Sequence, residues 1–317
     1  MRKILVTGCA GFIGSHMVDR LLDEKFEVVG IDNFNNYYDP EIKERNISLA
    51  KKSKKFKLYR ADIIDFENLK LIFKKEKPDK IIHLAARAGV RPSITDPDLY
   101  TKVNVLGTVN LLKLAKDCGA EQFIVGSSSS VYGNSLGIPF MEDDLCGDII
   151  SPYGASKRSA ELFAEAFYHQ SKLKLTILRF FTVYGPRGRP DMAPAIFTKA
   201  ILENQQILVF GDGNSCRDYT YIDDVVNGIF SASFKSYDFE IINLGNSKPI
   251  SLFDFIKTIE RITGKKARIK KMPKQTGDVE KTWANVVKAR ELLQWEPKVD
   301  IAEGLKKYIE WLVKQRY

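Results

Sequence analysis

Gly8, Gly11 and Gly14 recur at three-residue steps between a short apolar run and an amphipathic one. Residues 2–7 read as a buried strand, and Ile13, Met17, Leu21 and Leu22 share one side of a helix expected from Phe12 to Lys25. A strand, a glycine turn and a helix in that order commit the chain to a parallel α/β fold. The glycines permit a tight turn, let backbone approach a pyrophosphate, and allow the helix to pack close to the strand. The helix start then offers free amides and a partial positive charge to that anion.

A second strand is expected over 26–31, closing on Asp32 and Asn33. A carboxylate at this point accepts the hydroxyls of an adenosine ribose and repels a 2′-phosphate, so the expected cofactor is NAD rather than NADP. Further strands are expected at 56–60, 80–84, 122–127, 175–180 and 240–244. Helices are expected at 65–75, 98–117, 153–171, 251–263 and 302–314. This alternation describes a doubly wound, Rossmann-type parallel sheet. Loops rich in Gly, Pro and Arg begin after Phe181. We therefore expect an NAD-binding domain of 1–180 plus 218–246, and a smaller α/β substrate lobe of 181–217 plus 247–317.

The 317 residues suffice for one large core or two modest ones. No apolar run approaches the roughly 18 residues that span a bilayer. Glycines, Asp19 and Arg20 break the N-terminal apolar stretch, so a cytoplasmic protein is expected. The net charge of +9 is spread along the chain without a basic motif interleaved with aromatics, which argues against nucleic acid and suits an anionic ligand. The four cysteines show no metal-ligand spacing, so no metal site is expected.

The chemistry is carried by Tyr153 and Lys157, one helical turn apart on one face of a helix start. An ammonium beside a phenol favours the phenolate, so the pair is expected to lower the tyrosine pKa and supply a base near neutral pH. The fifth strand runs out into Gly126-Ser127-Ser128-Ser129-Ser130 at the sheet's carboxyl edge, where open α/β sheets bind their ligands. Asp62 and Ile63 after the third strand, and Leu84, Ala85 and Ala86 after the fourth, complete the expected cofactor surface. His83 is expected to be a packed strand residue rather than a catalyst.

With its Gly-x-x-Gly-x-x-Gly loop, serine run and Tyr-x-x-x-Lys, the chain resembles the extended short-chain dehydrogenase/reductase family over essentially its whole length. Within that family it is most similar to the nucleotide-sugar 4-epimerases. The resemblance implies that Ser128 shares a substrate 4-hydroxyl with Tyr153, and that Lys157 holds the nicotinamide ribose. It adds Asn104 and Ser127 on the cofactor side, Arg217 on the substrate pyrophosphate, and Asp278 on a uridine ribose. Where several epimerases carry an arginine three residues before that Asp, this chain has Gln275, with Lys274 beside it. Ser129 and Ser130 stand where sugar 4,6-dehydratases carry an Asp-Glu pair, so dehydration is not expected.

The segment from Phe180 to Met192 and the Ala-Gly-Val-Arg91 stretch are similar to those of UDP-glucuronate 4-epimerases. By that likeness Arg91, Thr182, Arg189 and Ser129 lie near the C5–C6 end of the sugar. The implied reaction is NAD-dependent conversion of UDP-glucuronate to UDP-galacturonate through a 4-keto intermediate, in a homodimer, with neither nucleic acid nor membrane as partner. Two other activities stay open: 4-epimerisation of UDP-glucose/galactose or their N-acetyl forms, and decarboxylation of UDP-glucuronate. A non-catalytic dinucleotide sensor is disfavoured, because a binder has no need of a tuned phenol.

Overall fold

A computed structural model describes residues 2–144, 146–171, 173–235, 237–273 and 279–315. The strands in chain order are β1 (Lys3–Thr7), β2 (Glu27–Asp32), β3 (Phe56–Arg60), β4 (Lys80–His83), β5 (Gln122–Ser128), β6 (Lys174–Phe180), β7 (Thr182–Tyr184), β8 (Gln206–Phe210), β9 (Cys216–Tyr221), β10 (Phe239–Leu244), β11 (Pro249–Ser251) and β12 (Arg268–Met272). Seven of them form one parallel sheet in the order β10-β6-β5-β4-β1-β2-β3. Sequence order reverses between β1 and β4, the place where a crevice opens at the carboxyl ends of a doubly wound sheet.

The strands of this sheet are apolar because helices cover both faces. Ile4, Val6, Ile82, Ile124 and Leu178 face one core, while Leu5, Ile81, Phe123, Val125 and Ile177 face the other. That alternation is the period-two geometry of a strand. The helices Phe12–Asp23 and Ile222–Phe234 lie on the first side, and Phe66–Glu76, Gly107–Asp117 and Pro152–Ser171 on the second.

Beyond Phe181, β7 pairs in parallel with β9, β11 pairs antiparallel with β9, and β12 pairs in parallel with β8. Of these, β7, β8 and β9 line the crevice with the helix Ala193–Leu202 and the start of Leu252–Thr263. The expected helix over 98–117 is interrupted. Pro97–Tyr100 runs into a wide π-type turn at Thr101–Leu106 before Gly107–Asp117 continues. The helices Pro40–Asn46, Val90–Thr95, Ala193–Leu202, Ile222–Phe234 and Val287–Leu293 were not foreseen. Among the described residues, no helix is long and apolar enough to cross a membrane.

Candidate active site

A cleft of about 910 Å³ opens at the carboxyl ends of β1, β4 and β5 and is closed from the far side by residues 180–219. One end is the glycine loop. Gly8 has φ +67°, and a Cβ there would lie 2.8 Å from the Ala85 amide nitrogen. A Cβ on Gly14 would lie 2.0 Å from the Gly8 carbonyl oxygen, so the loop closes on glycine alone. No side chain caps the helix Phe12–Asp23, leaving its first amides directed to the cleft beside Gly11, Phe12, Ile13 and Gly14. This cradle fits a pyrophosphate.

Asp32 ends β2 with its carboxylate fixed from both sides. The Ala10 amide donates to Oδ2 at 3.1 Å, and the Phe34 amide donates to Oδ1 at 2.8 Å. Lys43 approaches Oδ1 at 3.8 Å from the helix Pro40–Asn46 and also donates to the Asn35 carbonyl at 3.1 Å. Asn33 Nδ2 donates to Asp62 Oδ2 at 2.7 Å, joining the ends of β2 and β3. Ile63, Leu84, Ala85, Ala86 and Ser127 continue the same wall.

Asn104 does not. It is buried behind that wall, with Oδ1 accepting from the Arg87 amide at 2.8 Å and Nδ2 donating to the Arg87 carbonyl and to Ser156 Oγ, each at 2.9 Å. Its amide ties the 85–88 segment to the helix carrying Tyr153, so the expected cofactor contact gives way to a scaffolding place. His83 is likewise internal. It lies between Thr7 Oγ1 at 2.8 Å and Thr108 Oγ1 at 3.0 Å, with burial lowering its pKa to about 3.

At the centre, Ser128, Tyr153 and Lys157 line one wall together. The helix Pro152–Ser171 begins where Ser151 Oγ accepts from the Gly154 amide at 3.1 Å, and Ser93 Oγ accepts from the Tyr153 amide at 3.1 Å. Lys157 Nζ donates to the Gly126 carbonyl at 2.7 Å. The expected lowering of the phenol by the lysine is not what the structure gives. Burial raises the Tyr153 pKa above its ordinary value, opposed by the Ser128 hydroxyl and the Arg189 guanidinium. The two side chains share a helix face, and the ammonium is engaged by the Gly126 carbonyl.

The wall opposite carries Thr182, Arg189, Arg217 and, from the 86–91 segment, Arg91. Arg189 makes a two-pronged pair with Asp191, Nε to Oδ1 at 3.0 Å and Nη2 to Oδ2 at 2.6 Å, and Nη2 also donates to Tyr37 Oη at 3.1 Å. The Arg91 guanidinium lies 5.1 Å from the centre of the Phe210 ring. Arg217 Nη1 donates to the Cys216 carbonyl at 3.0 Å. Asp278, and with it Lys274 and Gln275, lies outside the described residues.

Sequence reasoning missed Lys43 and Tyr37, which reach the cleft from a segment without a motif, and Asp191, which lies within the Phe180 to Met192 stretch but was given no role. The carboxylates among the described lining residues are Asp32, Asp62 and Asp191, and the serine run contributes none. No group of described His, Cys, Asp and Glu residues could hold a metal.

A family model described as GDP-mannose 4,6 dehydratase matches residues 5–308. The chain belongs to this family. The curated relatives include a UDP-glucuronate 4-epimerase from Thermodesulfobacterium geofontis, 46% identical over 98% of this chain and 96% of that one. An uncharacterized protein from Methanocaldococcus jannaschii is also 46% identical, over 99% and 97%. Among solved structures, the Bacillus cereus UDP-glucuronic acid 4-epimerase in complex with UDP-glucuronic acid and NAD is 38% identical, with a TM-score of 0.94 over 99% of this chain and all of that one. A Thermotoga maritima UDP-glucose 4-epimerase with UDP-glucose is 36% identical, with a TM-score of 0.93 over the same shares. The family's description names a dehydratase; Ser129 and Ser130 supply hydroxyls and no carboxylate to the cleft.

Proposed function

We propose that this protein is an NAD-dependent 4-epimerase of a UDP-sugar, with UDP-glucuronate as substrate and UDP-galacturonate as product. The observation that carries the reaction class is the convergence of Ser128, Tyr153 and Lys157 on one cleft with the glycine cradle and Asp32. The likeness to UDP-glucuronate 4-epimerases over the whole chain carries the choice of sugar.

Gly8, Gly11 and the amides of Phe12, Ile13 and Gly14 hold the pyrophosphate of NAD, and Asp32 with Asn33 the adenosine ribose. Asp62 and Ile63 border the adenine, while Leu84, Ala85, Ala86 and Ser127 flank the remainder. When bound, oxidised NAD supplies a hydride acceptor and a positive charge near the phenol. Tyr153 takes the proton of the sugar 4-hydroxyl, which Ser128 orients, and returns it to the C4 oxygen once the sugar has turned its other face for re-reduction. Lys157 holds the nicotinamide ribose. Because the redox change is reversed within one turnover, the cofactor stays bound.

Arg217 and Asp278 grip the nucleoside diphosphate. Ser128, Ser129 and Thr182 hydrogen-bond the uronate carboxylate, with Arg189 and Arg91 supplying positive charge on that side. A carboxylate held with its C5–C6 bond near the ring plane does not overlap the C4 carbonyl, which suppresses loss of CO₂. The dinucleotide is assigned to 1–180 plus 218–246 and the nucleotide sugar to 181–217 plus 247–317. We place the protein in the cytoplasm as a homodimer joined through the helical stretch 98–117 and the helix Pro152–Ser171. Leu106, Leu162 and Phe163 support this contact, being apolar yet 48%, 49% and 45% exposed.

The test is incubation with UDP-glucuronate and no added cofactor. UDP-galacturonate is the expected product. A UDP-pentose would make the protein a decarboxylase, and turnover of UDP-glucose in preference would favour the neutral-hexose activity.

A further inference from the structure

A buried carboxylate stands one helical turn past Lys157. Tyr153, Lys157 and Glu161 follow at four-residue steps along Pro152–Ser171, and Glu161 is only 1% exposed. A carboxylate taken out of water is costly unless its oxygens are satisfied. Here they are satisfied from three elements. Ser127 Oγ at the end of β5 donates to Oε1 at 2.5 Å. Arg179 on β6 donates Nε to Oε1 at 3.0 Å and Nη2 to Oε2 at 2.9 Å. Arg158, on the same helix as Glu161, donates Nη1 to Oε2 at 2.9 Å.

Ser127 and Arg179 face each other in the β5–β6 register, so a single carboxylate joins both strand ends to the helix that carries the phenol. Ser127 immediately precedes Ser128. Arg179 is itself braced, donating Nη1 to the Glu142 carbonyl at 3.2 Å and lying 4.8 Å from the centre of the Tyr132 ring. Glu161 does not line the cleft, and the mechanism above gives it no part.

We propose that Glu161 is a positioning residue, holding Ser127 and Arg179 so that Ser128 stays in register with Tyr153 and Lys157. This rests on the reading of those three residues given above. The same carboxylate also acts on Lys157 by its charge. Burial lowers the lysine to about 8, and Glu161 is the group that opposes this. The other groups around the ammonium are the Gly126 carbonyl that it meets and His83, which burial keeps neutral. Arg158 and Arg179 balance Glu161 from its far side, and Tyr153 shares the helix face. An ammonium with its pKa lowered toward neutrality is needed in its charged form, so activity falls as pH rises through that pKa. Without Glu161 the fall moves to lower pH.

The experiment compares Glu161→Gln and Glu161→Asp with wild type by melting, NAD content, pH–rate profile and ¹⁵N-lysine NMR titration. In folded E161Q we expect kcat at pH 7 to drop about tenfold to a hundredfold, with KM changed less than about threefold. The Lys157 titration and the descending limb should both move to lower pH. E161D keeps the charge and should restore the limb. A folded E161Q whose limb and titration match wild type would overturn the inference. If E161Q does not fold, Ser127→Ala serves: it removes the Ser127–Glu161 bond and keeps the charge. It should lower kcat at least about fivefold with the limb in place, and wild-type kcat there would overturn the inference. The NMR titration needs no substrate, so inactivity of wild type on every UDP-sugar would count against the proposed function and not against this role.

Discussion

At the residue scale the account turns on Tyr153. Burial holds its phenol above the ordinary range, with Ser128 and Arg189 pulling the other way. A base in that position gains from any further positive charge brought beside it, which is what an oxidised nicotinamide would add. Tyr153→Phe removes the proton acceptor without touching the glycine cradle. It should cut turnover by about a hundredfold to ten-thousandfold, while NAD released on denaturation stays at the wild-type amount. Thr182→Val tests the sugar's other end. It should weaken UDP-glucuronate by about 1.5–3 kcal/mol in kcat/KM relative to UDP-glucose, the range of a lost hydrogen bond to a charged group. Equal losses on both sugars would point to a neutral hexose. The residues that a sequence could display are those whose neighbours in the chain are also their neighbours in the site, such as Ser128, Tyr153 and Asp32. Tyr37 and Glu161 escaped because their partners lie far along the chain: Tyr37 meets the Ala88 carbonyl and Arg189, and Glu161 meets Ser127 and Arg179.

At the element scale, the first helix joins both halves of the cleft. Its start is the glycine cradle, while its body holds the loop that carries Arg189. His16 Nε2 lies 2.9 Å from the Pro186 carbonyl, and Asp19 pairs with Arg187 at 2.7 Å. Burial lowers the His16 pKa to about 4, so this contact is made by a neutral, donating imidazole throughout the neutral range. Gly14→Ala should disturb this element at its start. The added Cβ falls on the Gly8 carbonyl, so we expect a loss of about 1–3 kcal/mol in unfolding free energy and a fall in bound NAD. Wild-type melting with full NAD occupancy would contradict that. The main-sheet strands and most helices were legible because buried parallel strands are continuous apolar runs and the helices keep their 3.6-residue period. The π-type turn at Thr101–Leu106 and the short strands β7, β8, β9, β11 and β12 were not. Their conformation is set by what they pack against, and three to six residues carry too little periodicity to declare it.

At the scale of the whole molecule, one seven-stranded sheet supplies the crevice and the shorter strands beyond Phe181 supply its far wall. The exposed Leu162 and Phe163 give the proposed dimer a direct check, since charge at a dry contact is costly. Leu162→Glu with Phe163→Glu should yield monomers by light scattering with the fold retained, whereas an unchanged mass would place the contact elsewhere. The central claim is that the C4 hydrogen leaves the sugar as hydride and returns to the same carbon within one enzyme. The most direct measurement uses UDP-glucuronate deuterated at C4, incubated with the purified protein in ordinary water without added NAD and followed by NMR. Retention of deuterium at C4 of UDP-galacturonate is the result predicted. Product carrying hydrogen from solvent at that carbon, or no product until NAD is supplied at every turnover, would contradict it.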